Sequence, residues 1–440
     1  MTTSRRTVRS PRLILRLVAD NTYINMASAM LITQIAVPLG TAIITRTHRI
    51  QLQNRDWSIK KMAVYEVDFA KGLVEKGNTS RIESVLERAK KGEELTIGFL
   101  GGSITQDAVT SDHKLCYAYR VYDWFCKTFP DATFKYVNAG IGATDSQFAA
   151  ARVKEQLLSY KPDFVLMEHA VNDDGKNTKF IESYEGTLRQ ILKSGEETPA
   201  VLLMCNVFYD DGASAERMHR MVARHYNIPV VSMRTTIYEA LLQGKFENKC
   251  ITHDNLHPND DGHGLVAKVI TTYLNSVLEG KNISHEGIVC GKENIPAPIS
   301  LNRYESSIKY DNRNCDMSGN GFIPDLTPQE GPRDCFKNGY VATEKGAYVD
   351  LEATCSLISV QFRRTINLPA PIAKVVVDGN EDAAVILDAN FDETWGDKLD
   401  LVDVYSSESA AKHKIHIEIV ETHPDDKGDF YLASVIVAGV

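Results

Sequence analysis

The sequence lacks an excess of positive charge. Its 440 residues carry 49 Lys and Arg against 58 Asp and Glu, which gives a formal net charge of -9. Binding to the phosphates of a nucleic acid needs a basic stripe or patch. This balance therefore argues against a nucleic-acid partner and favours a small neutral substrate. The charged fraction of 24% and the hydrophobic fraction of 43% are typical of a globular protein, which excludes a mainly disordered chain.

Paired cysteines are also lacking. None of the eight cysteines forms a CxxC pair or a short framework spacing, and these are the patterns of zinc ribbons and of small disulfide-bonded domains. We therefore expect mostly reduced thiols and a cytoplasmic protein. The even number of cysteines leaves a secreted, disulfide-bonded form open.

The N-terminal segment, residues 1–61, lacks a clean hydrophobic run. Residues 21–45 carry no charge and are long enough to cross a bilayer, but polar residues and Pro38 dilute the run, and no convincing cleavage site is present. Three interpretations stay open: a weak anchor or export signal, a disordered leader, or an extension upstream of a natural start at Met62. A membrane partner, or a secreted or membrane-anchored protein, is expected only if the leader is a genuine signal.

A chain of this length is too long for one hydrophobic core. From 62 to 284, apolar runs alternate with stretches of helical periodicity. This alternation predicts a parallel sheet covered on both faces, a three-layer α/β/α doubly wound domain of flavodoxin-like type. The five predicted strands are LTIGFLGGS, TFKYVNAGIG, PDFVLMEHAVND, PAVLLMCNVF and IPVVSM.

Residues 285–440 have a different character. Proline, glycine and asparagine cluster first, and short alternating runs such as KIHIEIVE follow, with no helix of normal length. This pattern predicts a β-sandwich, jelly-roll-like, as a second domain. It could bind sugar chains, form part of an active-site wall or mediate contacts in a homo-oligomer. Trp395 is a candidate sugar platform, although an aromatic residue in such a domain more often belongs to the core.

Four polar signals follow the predicted strands. Ser103 comes just after the first strand, Gly140 to Ala143 after the second and Asn172 after the third, while the loop ITHDNLHPND at 251–260 precedes the last helix. Because the carboxyl ends of parallel strands meet at one edge of a sheet, these residues are expected to converge.

Three interpretations of this edge compete. As a metal site, the loop would supply His253, Asp254, His257, Asp260 and His263, but this leaves Ser103 and Asn172 unexplained. As plain structure, the GGS and VND segments would be tight turns and His257 a capping residue. As a catalytic site, His257 would be the base that a weakly acidic serine hydroxyl needs, and Asp254 would hold the imidazole tautomer.

At these positions the sequence resembles the SGNH hydrolases, the GDSL-like esterases. The matching blocks are GGSIT at 101–105, NAGIGATDS at 138–146, VND at 171–173 and DNLHPND at 254–260. The resemblance implies Ser103 as nucleophile, His257 as base and Asp254 as its orienting partner, with no metal and no cofactor. It also implies an oxyanion hole made of the Ser103 N–H, a backbone N–H of Gly142 or Ala143, and the Asn172 amide.

Two positions depart from the family pattern. Gly102 replaces the usual Asp before the nucleophile, and Ala143 aligns with the family's oxyanion glycine. With the second domain, the resemblance extends to two-domain bacterial carbohydrate acetylesterases and implies deacetylation of xylan- or mannan-type oligosaccharides. A lipid esterase or thioesterase of the same superfamily, and a non-catalytic glycan-binding protein, stay open as alternatives.

Overall fold

The computed structural model describes residues 65–440, in which the first sheet has six strands. Their order across the sheet is β1-β6-β5-β4-β2-β3, with β2 to β6 parallel and β1 antiparallel to β6. The five parallel strands are the five predicted ones. The strands are β1 (Leu73–Glu75), β2 (Glu94–Gly101), β3 (Thr133–Gly140), β4 (Phe164–Glu168), β5 (Ala200–Cys205) and β6 (Val230–Ser232).

Helices cover both faces of this sheet. On one face, Ile97 and Phe99 of β2 pack against α1, α3 and α8, and on the other face Val165 and Met167 of β4 pack against α4, α5 and α6. Every residue of β4 and β5 is buried, as expected for central strands of a covered parallel sheet. The helices are α1 (Ser80–Lys90), α2 (Ser103–Gln106), α3 (Tyr117–Thr128), α4 (Ser146–Gln156), α5 (Lys179–Leu192), α6 (Glu216–His225), α7 (Glu239–Leu242) and α8 (Asp260–Leu278).

Two helix starts matter for the edge of the sheet that carries the polar blocks. The Asp145 carboxylate caps α4 by accepting a hydrogen bond of 3.1 Å from the backbone N–H of Phe148. The Asn259 side chain caps α8 by accepting from the N–H groups of Asp261 and Gly262. Both caps fix the point at which a loop from the sheet edge enters its helix.

The second sheet lies in residues 308–438 and is antiparallel. Its strands follow the path β13-β12-β14-β11-β15-β10-β9, while β7 pairs with β15 and β8 with β11. Side chains of β10, β11, β12, β14 and β15 enclose a separate hydrophobic core. The strands are β7 (Ile308–Tyr310), β8 (Ser318–Asn320), β9 (Ile323–Pro324), β10 (Tyr340–Ala342), β11 (Tyr348–Arg364), β12 (Ile372–Val377), β13 (Val385–Asp388), β14 (Lys398–Glu421) and β15 (Phe430–Ala438).

The predicted fold class, an α/β domain followed by an antiparallel β domain, is confirmed. Details differ: β11 is one long strand with irregularities near Cys355 and Ile358, and the single strand β14 extends far beyond the predicted KIHIEIVE segment. Trp395 lies outside the core, with 59% of its surface exposed and its ring edge-on to Phe391 at 5.1 Å.

The β domain packs against α4 and α5 of the α/β domain. Apolar contact joins Ile141 and Phe148 to Leu399 and Tyr431. Lys179 forms an ion pair of 2.9 Å with Asp403 across the same boundary. The boundary between residues 284 and 285 stays a prediction, and the leader 1–61 lies outside the described residues. No helix of the described part has the length and apolar character needed to cross a membrane.

Candidate active site

The four predicted polar blocks meet at the carboxyl edge of the first sheet. Ser103 is the first residue of α2, directly after β2, and the Gly140–Ala143 turn follows β3. Asn172 follows β4, which pairs with β2 on its other side. The 251–260 loop leads into α8 and places His257 within hydrogen-bond distance of Ser103. The structure therefore places Ser103, Gly142, Ala143, Asn172, Asp254 and His257 at one site.

Ser103, His257 and Asp254 form a hydrogen-bonded row. The Oγ atom of Ser103 lies 2.8 Å from Nε2 of His257, although the two residues are 154 positions apart. The other ring nitrogen, Nδ1, lies 2.6 Å from Oδ2 of Asp254. A carboxylate at that distance favours the tautomer with the proton on Nδ1, which leaves Nε2 free to accept the serine proton.

Asp254 is oriented by its own loop. Its Oδ1 atom accepts backbone hydrogen bonds from Leu256 at 3.0 Å and from His257 at 2.8 Å. Partial burial raises the pKa of Asp254, but the hydrogen bonds from the His257 ring and from these two N–H groups outweigh it and lower the pKa to about 2. The carboxylate is therefore ionised at neutral pH. Its side chain is 49% exposed, and contact with water also favours the charged form.

Glycines at 101 and 102 let the backbone approach Asn172 and the turn of α2. A Cβ atom on Gly102 would lie 2.3 Å from Oδ1 of Asn172, and one on Gly101 would lie 2.1 Å from Oγ1 of Thr105. The Asn172 amide thus fills the space in which the family carries an Asp side chain. The Gly102 departure changes local packing and leaves Ser103 in place.

The turn after β3 lies beside Ser103. Ala143 has a φ of 56°, a left-handed conformation that glycine adopts more readily, which agrees with its alignment to the family's glycine. The neighbouring Gly142 donates its backbone N–H to Oε1 of Gln106. One of the two predicted backbone donors is therefore already engaged by a side chain.

Comparison with known proteins gives the family. Residues 99–265 match the GDSL-like lipase/acylhydrolase family. The crystal structure of a two-domain esterase active on acetylated mannans, co-crystallised with mannopentaose, is 47% identical to this chain, with a TM-score of 0.80 and coverage of 85% of this chain and 99% of that one. This chain belongs to the GDSL-like lipase/acylhydrolase family. The resemblance predicted from the sequence is confirmed, and the protein is a carboxylic-ester hydrolase.

Further relatives agree with this family membership. A second structure of a two-domain esterase active on acetylated mannans has the same identity and coverage, with a TM-score of 0.81. A curated acetylxylan esterase of Geobacillus stearothermophilus is 22% identical over 159 residues, which are 32% of this chain and 72% of that protein.

The side chains of the 251–260 loop are not arranged as metal ligands. Within residues 65–440, no group of three or more His, Cys, Asp or Glu side chains is arranged to hold a metal ion. His263 is buried under α3, where its Nδ1 accepts the backbone N–H of Tyr117 at 3.2 Å. Asp260 instead accepts hydrogen bonds from the N–H and hydroxyl of Ser111 at 2.8 and 2.6 Å.

Two features of this GDSL-like site escaped the sequence analysis. One is the Gln106 contact with Gly142. The other is a fully buried pair in which Oδ2 of Asp173 lies 2.8 Å from Nε2 of His219, while Oδ1 accepts the N–H of Ser146 at 2.8 Å. This pair ties the loop carrying Asn172 to the start of α4. A histidine at an inward position of α6 was the one signal in the sequence for it.

Proposed function

We propose that this protein is a serine esterase that removes O-acetyl groups from carbohydrate. Ser103 is the nucleophile, His257 the general base and Asp254 the carboxylate that orients the base. The observation that carries this proposal is the distance of 2.8 Å between Oγ of Ser103 and Nε2 of His257. A serine hydroxyl is a weak nucleophile at neutral pH and needs a base within such reach.

The reaction follows from this geometry in two halves. Oγ of Ser103 attacks the acetyl carbonyl carbon, its proton moves to Nε2 of His257, and the carbonyl electron pair moves to oxygen. Asp254, at 2.6 Å from Nδ1, stabilises the imidazolium that forms. The carbonyl reforms as the sugar oxygen leaves with the proton from Nε2. Water then attacks the acetyl-serine in the same way, and acetate leaves.

The developing oxyanion needs donors that are already in position. The Ser103 N–H at the start of α2, the Asn172 side-chain amide and the Gly142–Ala143 turn are the proposed contributors. Support comes from the closeness of the Asn172 side chain to the residue before the nucleophile: a Cβ on Gly102 would lie 2.3 Å from its Oδ1 and 3.1 Å from Nδ2, the atom that donates. One well-placed donor typically contributes about 3 to 4 kcal/mol to the barrier reduction.

Acetylated mannan-type oligosaccharides are the proposed substrates, with xylan-type ones as weaker alternatives. Support comes from the relative active on acetylated mannans, whose likeness covers 99% of its length and so includes both domains. Polar groups surround the nucleophile, among them Gln106 and Asn172. A long acyl chain would need an apolar channel in their place, which favours the acetyl group over a lipid ester.

The test compares the wild-type protein with Ser103→Ala. Hydrolysis of p-nitrophenyl acetate should fall by at least about a thousandfold, as expected when a nucleophile is removed, while the thermal melting curve stays unchanged. Ser111→Ala is a matched control, because within residues 65–440 that serine bonds to Asp260 and not to Ser103, His257 or Asp254. It should keep wild-type activity.

Substrate class is tested with the same proteins. Acetate release from acetylated manno-oligosaccharides should exceed release from acetylated xylo-oligosaccharides, and p-nitrophenyl esters from acetate to octanoate should be cleaved more slowly as the chain lengthens. A preference for octanoate would favour the lipid esterase. Full activity in Ser103→Ala would overturn the serine mechanism, and an inactive wild type that still binds glycans would favour the binding-protein alternative.

A further inference from the structure

Gln106 ends the one-turn helix α2 that Ser103 begins. Its side-chain Oε1 accepts the backbone N–H of Gly142, which belongs to the turn after β3. An amide oxygen accepts and an amide nitrogen only donates, so this contact fixes which end of the carboxamide is which. The Nε2 group, with its two N–H donors, must therefore face away from Gly142.

The Gln106 carboxamide lies beside the nucleophile. A Cβ atom built on Gly142 would be 3.0 Å from Oε1 of Gln106, 4.0 Å from its Cδ and 3.8 Å from Cβ of Ser103. The position of that Cβ is thus within 4 Å of the side chains of both Gln106 and Ser103. Gln106 is half-buried, and among residues 65–440 its only side-chain hydrogen bond is the one to Gly142, so Nε2 has no protein acceptor.

A purely structural role for this contact is weakened by the other bonds that hold the turn. The N–H of Ile141 donates to the carbonyl of Gly101 at 3.1 Å. The side chain of Asn138 bonds both the N–H of Gly140 and the carbonyl of Thr105, each at 2.8 Å. These contacts join the turn to β2 and α2, so the turn has anchors besides Gln106.

We propose that Gln106 is a catalytic residue whose Nε2 donates a hydrogen bond to the carbonyl oxygen of the bound ester. The Gly142 N–H then acts through the side chain: it holds Oε1 and, by polarising the amide, strengthens the donor at Nε2. This inference rests on the proposed esterase function. It adds the Gln106 amide to the Ser103 N–H, the Asn172 amide and the Ala143 N–H as proposed donors of the oxyanion hole.

The role of Gln106 in the reaction is electrostatic. When Oγ of Ser103 bonds to the carbonyl carbon, the electron pair of the C=O bond moves to oxygen and the serine proton moves to Nε2 of His257. Gln106 transfers no proton. Its hydrogen bond shortens as negative charge develops, which lowers the barrier to attack more than it strengthens substrate binding.

Gln106→Glu and Gln106→Ala separate this role from its alternatives. The glutamate keeps an acceptor for the Gly142 N–H but loses the donor and puts a negative charge beside the oxyanion. We expect kcat for p-nitrophenyl acetate to fall by about a hundredfold or more in both variants, at least as far in Gln106→Glu as in Gln106→Ala, with a much smaller change in KM. Measuring kcat over a series of pH values distinguishes this loss from a change in the pKa of the general base, which would move the profile along the pH axis.

The controls distinguish failure of this proposal from failure of the esterase proposal. Gln243→Ala removes an exposed glutamine whose side chain, in the described part of the chain, bonds only Glu239, and it should keep wild-type kcat. Wild-type activity in Gln106→Glu would mean that the residue only anchors the turn. A higher kcat in Gln106→Ala would mean that it blocks the Gly142 N–H. Either result overturns the donor role while the Ser103→Ala result stands, whereas an inactive wild type overturns both proposals.

Discussion

Replacing Asp254 with Asn tests how the proposed base keeps its tautomer. The carboxylate has two acceptor sides: Oδ2 faces Nδ1 of His257 at 2.6 Å, and Oδ1 accepts the backbone N–H groups of Leu256 and His257 at 3.0 and 2.8 Å. An asparagine has one oxygen and one NH2 group, so only one side can remain an acceptor. The loop therefore decides which way the new amide turns.

Hydrogen-bond energies set the direction of that choice. Turning the NH2 group toward the backbone would leave two N–H donors without an acceptor, whereas turning it toward the ring loses one acceptor contact. At about 1 kcal/mol for each bond, the oxygen should stay on the backbone side. The NH2 group then donates to Nδ1 of His257, and the ring proton moves to Nε2, which can no longer accept the proton of Ser103.

We expect kcat for p-nitrophenyl acetate to fall about 10³- to 10⁴-fold in Asp254→Asn, with little change in KM. The magnitude is that seen when the wrong tautomer is imposed on a serine-hydrolase histidine, and it corresponds to about 4 to 5.5 kcal/mol in the barrier. Asp260→Asn is the matched control, because Asp260 lies in the same segment but bonds Ser111. An Asp254→Asn protein within tenfold of wild type would refute the orienting role.

Two further predictions concern stability. The pKa of Asp254 is lowered from its usual 3.8 to about 2, so its ionised form adds to the free energy of unfolding above about pH 4, and this contribution is lost as pH falls toward 2. The difference in free energy of unfolding between wild type and Asp254→Asn, measured by urea denaturation, should therefore shrink as pH falls over that window. A difference that stays constant with pH would contradict this prediction. Asp173→Ala should lower the free energy of unfolding by about 3 kcal/mol, because it leaves His219 and the Ser146 N–H buried without their partner, whereas exposed Asp174→Ala should change it by less than about 0.5 kcal/mol.

The sequence predicts the central strands well because burial on both faces requires continuous apolar runs. β4 and β5 are buried at every residue, and their segments stand out without further information. β1 was missed because it is three half-buried residues at a sheet edge. The first half of β14 was missed because its polar residues alternate with few apolar ones, and its pairing with β11 is a long-range property.

The convergence of the candidate site residues could be predicted from the sequence to a similar degree. Strand ends bring Ser103, Asn172 and the 251–260 loop together, and the short spacing from Asp254 to His257 allows the ring contact. The contact of Gln106 with Gly142 could not be read from spacing, because it depends on how α2 meets the turn after β3. The same applies to Asp173 and His219, which lie on separate elements and meet only in the packed interior.

Each of the two departures from the family pattern has a local structural consequence. At position 102, glycine leaves room for the Asn172 amide, because a Cβ atom there would lie only 2.3 Å from Oδ1 of Asn172. At 143, alanine keeps the left-handed turn with a φ of 56°, at a cost of about 1 kcal/mol relative to glycine. The turn retains its shape, yet its Gly142 N–H is directed to Gln106 and away from open space. Because the Gly142 N–H is engaged by Oε1 of Gln106, it cannot also face the substrate, and the proposed Gln106 donor would take its place beside the Ala143 N–H.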